Sequence, residues 1–225
     1  MKARFALFLL VVLLMPCMAA AKGGAVRGTV VNASGGAGVE DAVIVLRPAP
    51  GKSPPAAKRP FGIMDQWQKQ FIPYVLPVKV GTAISFPNKD KIKHHVYSFS
   101  EPKPFELKLY SGYDATPIVF DKPGVVTLGC NIHDWMLGFI YVVDSDYFGK
   151  TGKNGSLVIS GVPPGEYIAS VWQPNITGDP ASFEQKISVT DDGEAEVRFT
   201  ISLKRDRRRP TPPDSSEGLP YGIGR

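Results

Sequence analysis

The chain has 225 residues, 43% of them hydrophobic and 21% charged, with a formal net charge of +5. This composition supports a folded core and excludes a disordered or collagen-like chain. Only 2 cysteines are present, which excludes a small scaffold built on disulfides.

The amino terminus reads as a secretory signal. Lys2 and Arg4 supply a positive start, Phe5 to Met15 an apolar stretch, and Ala19-Ala20-Ala21 a small-residue cleavage site. The apolar stretch is too short for a comfortable membrane span. Cleavage after Ala21 predicts an exported protein, periplasmic or secreted, with no stable membrane span once residues 1–21 are gone. Cys17 leaves with the signal, so Cys130 becomes the sole cysteine. A lone cysteine in an oxidising compartment is buried and inert, an intermolecular partner, or a metal ligand.

Beyond the signal the chain reads as all-β. Val26 to Val31 and Ala42 to Leu46 form two strands around the turn-rich Asn32 to Gly38. Gly51 to Pro60, rich in Pro, Lys and Ala, reads as a linker, and a central module follows over residues 61–146. Further strands are predicted at Leu157-Val158-Ile159, Tyr167 to Trp172, and around Phe183, Ile187 and Val189. Asn154-Gly155 and Pro163-Pro164-Gly165 mark turns between them. The last strand alternates cleanly, with Ala195, Val197, Phe199, Ile201 and Leu203 against Glu194, Glu196, Arg198, Thr200 and Ser202. Residues 204–225 form a basic, Pro-rich tail with six basic and three acidic residues, predicted to be disordered. Loss of the signal and separation of this tail leave a body near neutrality. The basic balance therefore gives no reason to expect nucleic acid as a partner.

Neither terminal group of strands is large enough for a core alone. Residues 22–50 and 147–203 together make a sensible sandwich. Val26-Arg27-Gly28-Thr29-Val30, Gly38-Val39-Glu40-Asp41-Ala42-Val43 and Gly161-Val162-Pro163-Pro164-Gly165-Glu166-Tyr167 resemble the carboxypeptidase-regulatory-like (prealbumin-like) β-sandwich. Insertion of the central module into this discontinuous sandwich is the expectation, with two tandem domains as the alternative.

The chemistry concentrates in Cys130-Asn131-Ile132-His133-Asp134-Trp135-Met136, downstream of His94-His95. One thiolate, two imidazoles and a thioether make the ligand set of a blue-copper electron-transfer site. Val126, Leu128 and Cys130 share one face of a strand, so the thiol points inward at its end. His133 and Met136 must then turn back toward the same point, while the remaining histidine comes from a neighbouring strand. Only one of His94 and His95 can face inward.

The C-x2-H-x2-M run, with Phe86-Pro87-Asn88-Lys89-Asp90 leading into His94-His95-Val96, resembles the cupredoxin (blue-copper) family. The spacing is similar to amicyanin's short ligand loop and tighter than the plastocyanin pattern. The whole chain also resembles bacterial exported proteins called methylamine utilization proteins, which carry a cupredoxin domain; that name implies nothing about methylamine metabolism here. The resemblance implies a cupredoxin Greek-key β-sandwich holding one type 1 copper. Its ligands are His94, Cys130, His133 and, axially, Met136, with His95 on the neighbouring face. It also implies an apolar docking patch, for which Trp135, Leu137 and Phe139 are candidates, with Lys89, Lys91 and Lys93 as a basic rim.

These readings predict a one-electron carrier with a redox partner protein and no catalytic role of its own. The alternative is a non-catalytic copper-binding, storage or ligand-binding β-sandwich protein. Zinc rarely takes a thioether, so Met136 speaks against it. A Cys-His nucleophile lacks, in the sequence, a recognisable orienting third group.

Overall fold

The computed structural model describes residues 23–49, 61–112 and 115–205. The predicted signal (1–21), the linker (51–60) and nearly all of the basic tail lie outside them. Among the described residues the fold is all-β, with a single 3-10 turn at Pro180–Phe183. No helix among them is long and apolar enough to cross a membrane.

The strands run in chain order as β1 (Gly24–Asn32), β2 (Val43–Pro48), β3 (Phe61–Ile63), β4 (Asp65–Trp67), β5 (Gln70–Ile72), β6 (Val75–Lys79), β7 (Thr82–Ser85), β8 (His94–Ser98) and β9 (Phe105–Tyr110). They continue as β10 (Ile118–Phe120), β11 (Gly124–Cys130), β12 (Leu137–Val143), β13 (Tyr147–Lys150), β14 (Ser156–Val162), β15 (Gly165–Trp172), β16 (Ile176–Thr177), β17 (Glu184–Val189) and β18 (Glu194–Leu203). Four sheets carry most of them, ordered β14-β1-β18-β16, β13-β2-β15-β17, β6-β12-β11-β8-β9 and β10-β7-β3, with β4-β5 a separate hairpin.

Three apolar layers lie between those sheets. Val26, Val30, Phe199 and Ile201 pack against Ile44, Leu46, Tyr167 and Val171 in the first. Ile84, Phe86 and Phe120 pack against Val96, Val126, Leu128, Ile140 and Val142 in the third. The middle layer joins Val43, Val45, Phe148 and Trp172 to Val75, Val143, Tyr74, Phe139 and Tyr141. Strand β2 is therefore buried on both faces, which is why Val43-Ile44-Val45-Leu46 is continuously apolar instead of alternating. Strand β12 does the same, with Ile140 and Val142 on one side and Phe139, Tyr141 and Val143 on the other.

Polar contacts rim the middle layer. Arg47 Nε lies 2.8 Å from Asp144 and Arg47 Nη1 donates to Ser170 Oγ at 2.9 Å. Ser145 Oγ donates to the Leu46 carbonyl, and Lys79 pairs with Asp146.

Strand β1 pairs antiparallel with β14 and parallel with β18, from Ala25↔Glu194 to Asn32↔Ile201. Strand β2 pairs with β13 and β15. The turn at Gly155 clamps this arrangement: its carbonyl accepts from Val30 N at 2.8 Å, and its φ of +75 is one that side-chain-bearing residues rarely adopt. A Cβ on Gly38 would stand 2.2 Å from the Asn154 carbonyl, so the two turns meet backbone to backbone.

One local expectation fails. Phe183 does not extend β17 but closes the 3-10 turn, because Asp179 caps Ala181 N at 3.0 Å and Pro180 fixes the first turn position.

The pairing of β1 and β2 with strands beyond residue 146 predicts that a chain starting at residue 61 loses the cooperative unfolding of β13–β18. Limited proteolysis checks this: a stable 150–203 fragment recovered without the first 50 residues would contradict it.

Candidate metal centre

Strand β11 carries Val126, Leu128 and Cys130 into the third apolar layer, and Cys130 is buried. Strand β8 runs antiparallel beside it, with Val96 opposite Cys130 and Tyr97 opposite Gly129. His94 shares the inward face of Val96 and is 0% exposed. His95 faces the other way, where its Nε2 lies 2.8 Å from a Glu106 carboxylate oxygen. Beside the cysteine the sheet is tightly covered: a Cβ on Gly129 would meet the Tyr97 ring at 2.7 Å.

The loop after Cys130 closes in two short turns. His133 N donates to the Cys130 carbonyl at 3.4 Å and Met136 N to the His133 carbonyl at 2.9 Å. Asn131 N ties the loop to strand β8 through the His95 carbonyl at 3.2 Å. These turns bring His133 over the sulfur and return Met136 to the core cluster that holds Cys130.

Cys130 Sγ lies 3.7 Å from His94 Nδ1 and 3.6 Å from His133 Nδ1. The donor atoms of the three residues all fall within 4.8 Å of one another. Metal–nitrogen bonds of about 2.0 Å and metal–sulfur bonds of about 2.3 Å place N and S about 3.5 Å apart in a tetrahedron and about 3.7 Å apart in a trigonal plane. Both sulfur–nitrogen separations fit a single small metal ion bound between the thiol and the two imidazoles. The fourth sequence candidate, Met136, is 2% exposed at the same end of the core.

The electrostatics suit a thiolate. Burial alone would push the Cys130 thiol up, but the His94 hydrogen bond, the backbone N–H groups of His95 and Ile132 and the His94 charge bring it below its usual value. Burial works against a charged His94, yet hydrogen bonds to Asp90 and Cys130 and their charges push it up to about 9. His133 is lowered by its own burial and by the nearby His94 and Lys69 charges.

Two residues in the approach to His94, quoted above as part of the motif but given no role of their own, shape the site. Asn88 is 4% exposed; its Nδ2 donates to the Ile92 and Tyr110 carbonyls at 2.8 and 3.0 Å, and its Oδ1 accepts from Asp90 N at 3.0 Å. Asp90 Oδ2 lies 2.7 Å from His94 Nε2, on the ring edge away from the sulfur. The usable signal was the carboxylate four residues before a buried histidine.

The surroundings differ in part from expectation. Trp135 packs on His133 in a tilted contact with ring centroids 5.3 Å apart, and Asp134 is exposed. Phe139 is not a surface residue beside the site: it packs on Tyr74 and Trp172 in the middle layer, at centroid distances of 5.4 and 6.0 Å. Lys89 does not stand in an open basic rim but pairs with Asp65 at 2.7 Å, while Lys91 and Lys93 are exposed. An open groove lined by Tyr97, Phe99, Trp135 and Leu137 borders Cys130 instead.

No family model matches the chain, and no curated protein matches it in sequence. Among solved structures, a purple cupredoxin from Nitrosopumilus maritimus is 24% identical over 36% of this chain and 96% of its own, with a TM-score of 0.32. A copper-containing nitrite reductase from Thermus scotoductus SA-01 is 26% identical over 44% of this chain, with a TM-score of 0.36, and the match spans 25% of its length. A reduced amicyanin variant is 23% identical over 46% of this chain and 100% of its own, with a TM-score of 0.34.

Asn88→Ala removes the donor to two part-buried carbonyls and frees the loop before His94. The expected cost is about 1–3 kcal/mol of stability, read as a lower denaturant midpoint at unchanged slope.

Proposed function

We propose that this is an exported protein that binds one copper ion through Cys130, His94, His133 and Met136 and carries single electrons to and from a partner protein. The observation that supports it best is the buried cluster of one sulfur and two Nδ1 atoms at separations suited to one ion. Copper held by a thiolate and two imidazoles with a weak thioether exchanges one electron between Cu(I) and Cu(II). Cys130 supplies a sulfur already biased toward thiolate. Strand β8 and the 131–136 loop hold the two imidazoles from opposite sides, and Trp135 shields His133. The groove beside Cys130, with Phe99 87% exposed on its edge, suits contact with a redox partner.

The same reading takes residues 22–50 and 147–203 as one discontinuous sandwich carrying the 61–146 module. The pairing of β1 with β14 and β18, and of β2 with β13 and β15, supports it.

A thiol nucleophile is the competing chemistry. Asp90 supplies the orienting group that the sequence reading lacked, giving a Cys130–His94–Asp90 line. Two observations weigh against it. Cys130 is only 4% exposed, and a second imidazole, His133, stands 3.6 Å from the sulfur.

Cu(II) added to the mature protein is expected to give an intense thiolate band at about 600 nm, absent in Cys130→Ala. His94→Ala is expected to bleach the band and His95→Ala to keep it. Electrochemistry should show reversible one-electron cycling; copper held only as Cu(I) would move the reading to storage or delivery, and no uptake would remove it.

A further inference from the structure

Asp90 lies outside the ligand set, yet its carboxylate is the most heavily engaged near the site. It is 8% exposed. Oδ1 accepts from Gln68 N at 2.7 Å, Oδ2 accepts from Lys69 N at 2.9 Å, and Oδ2 also faces His94 Nε2 at 2.7 Å. Gln68 and Lys69 form the turn between β4 and β5 with φ of +52 and +57, and their consecutive N–H groups point the same way, one to each oxygen of the carboxylate. The carboxylate is thus fixed from three directions and cannot rotate away from the ring. His94 then has one orientation: Nε2 carries a proton toward Asp90, and Nδ1 faces Cys130 Sγ at 3.7 Å.

We propose that Asp90 is a positioning residue for the metal centre: it holds His94 with Nδ1 toward the metal and, by accepting the Nε2 proton, strengthens that nitrogen as a donor. The inference rests on the copper reading. A hydrogen bond from a ligating imidazole to a carboxylate raises the basicity of the ligand and fixes its tautomer. A stronger nitrogen donor favours Cu(II) over Cu(I), so Asp90 lowers the reduction potential. The β4–β5 hairpin is hydrogen-bonded to the His94 side of the centre through this side chain.

The test is Asp90→Asn in the full mature chain loaded with copper. The amide keeps the size but turns an N–H group toward a backbone donor and removes the negative charge beside His94. Cu(II) affinity is expected to fall about 10–100-fold, Cu(I) affinity by less, and the potential to rise by about 59 mV for each tenfold difference between the two losses. Gln68→Gly relieves the left-handed turn, so the comparison is repeated in that background to keep the hairpin folded; the same rise is expected there. In metal-free protein the His94 Nε2 proton should appear by NMR as a downfield, slowly exchanging signal that moves upfield in Asp90→Asn. Wild-type protein that shows this proton but takes up no copper would overturn the copper reading, and the claim on potential with it. Copper-loaded Asp90→Asn with an unchanged potential and an unchanged Cu(II)-to-Cu(I) affinity ratio would overturn the Asp90 assignment alone, leaving it a hairpin anchor.

Discussion

An imidazole without solvent exposure needs a partner at each ring nitrogen, because a buried polar atom left unpaired costs about 1–3 kcal/mol. His94 meets that demand with Asp90 on one side and Cys130 on the other. Much of the central module is arranged around those two contacts. Strand β11 must end where its sulfur meets Nδ1, the 131–136 loop must fold back over it, and the β4–β5 turn must present its amides to the carboxylate that meets Nε2. Asn88 then fixes the short connection between Asp90 and His94. The result is a polar line through an otherwise apolar layer, with His133 closing its far end.

That line gains rigidity from the rest of the molecule. Strand β12 follows the ligand loop directly, and its outward residues Phe139, Tyr141 and Val143 pack into the layer shared with β2 and Trp172. Tyr141 and Trp172 pack in a tilted contact with ring centroids 4.9 Å apart. Each fully buried aliphatic side chain there contributes on the order of 1.5–3 kcal/mol. The loop bearing Cys130, His133 and Met136 is therefore anchored at one end by a strand buried on both faces and at the other by pairing with β8.

Much of this was legible in the sequence because alternation assigns faces. The inward set of β11, the half-buried β18 and the opposition of His94 and His95 all follow from a period of two. What alternation does not say is what covers the outer face. Phe139 was a docking candidate on the strength of the resemblance, and its neighbour Trp172, which covers it, lies beyond the central segment in sequence. Asp90, quoted only as the end of a motif, was given no role for a related reason. A carboxylate among Lys89, Lys91 and Lys93 reads as part of a solvated surface, and its true partners are amides of a turn about twenty residues upstream. That turn has no glycine to announce it: Gln68 and Lys69 occupy the left-handed region.

The parallel alignment of β1 with β18 also has a temporal side. Ala25 and Glu194 are neighbours in the sheet but ~170 residues apart along the chain, and contacts of that separation form slowly. Everything that builds the polar line around His94 lies between Asp65 and Met136, so all of its residues are synthesised before the last strand. The first strand must wait, unpaired on that side, until the final one arrives. The separation favours an inside-out order of assembly, in which the central module is a template on which the two ends of the chain meet.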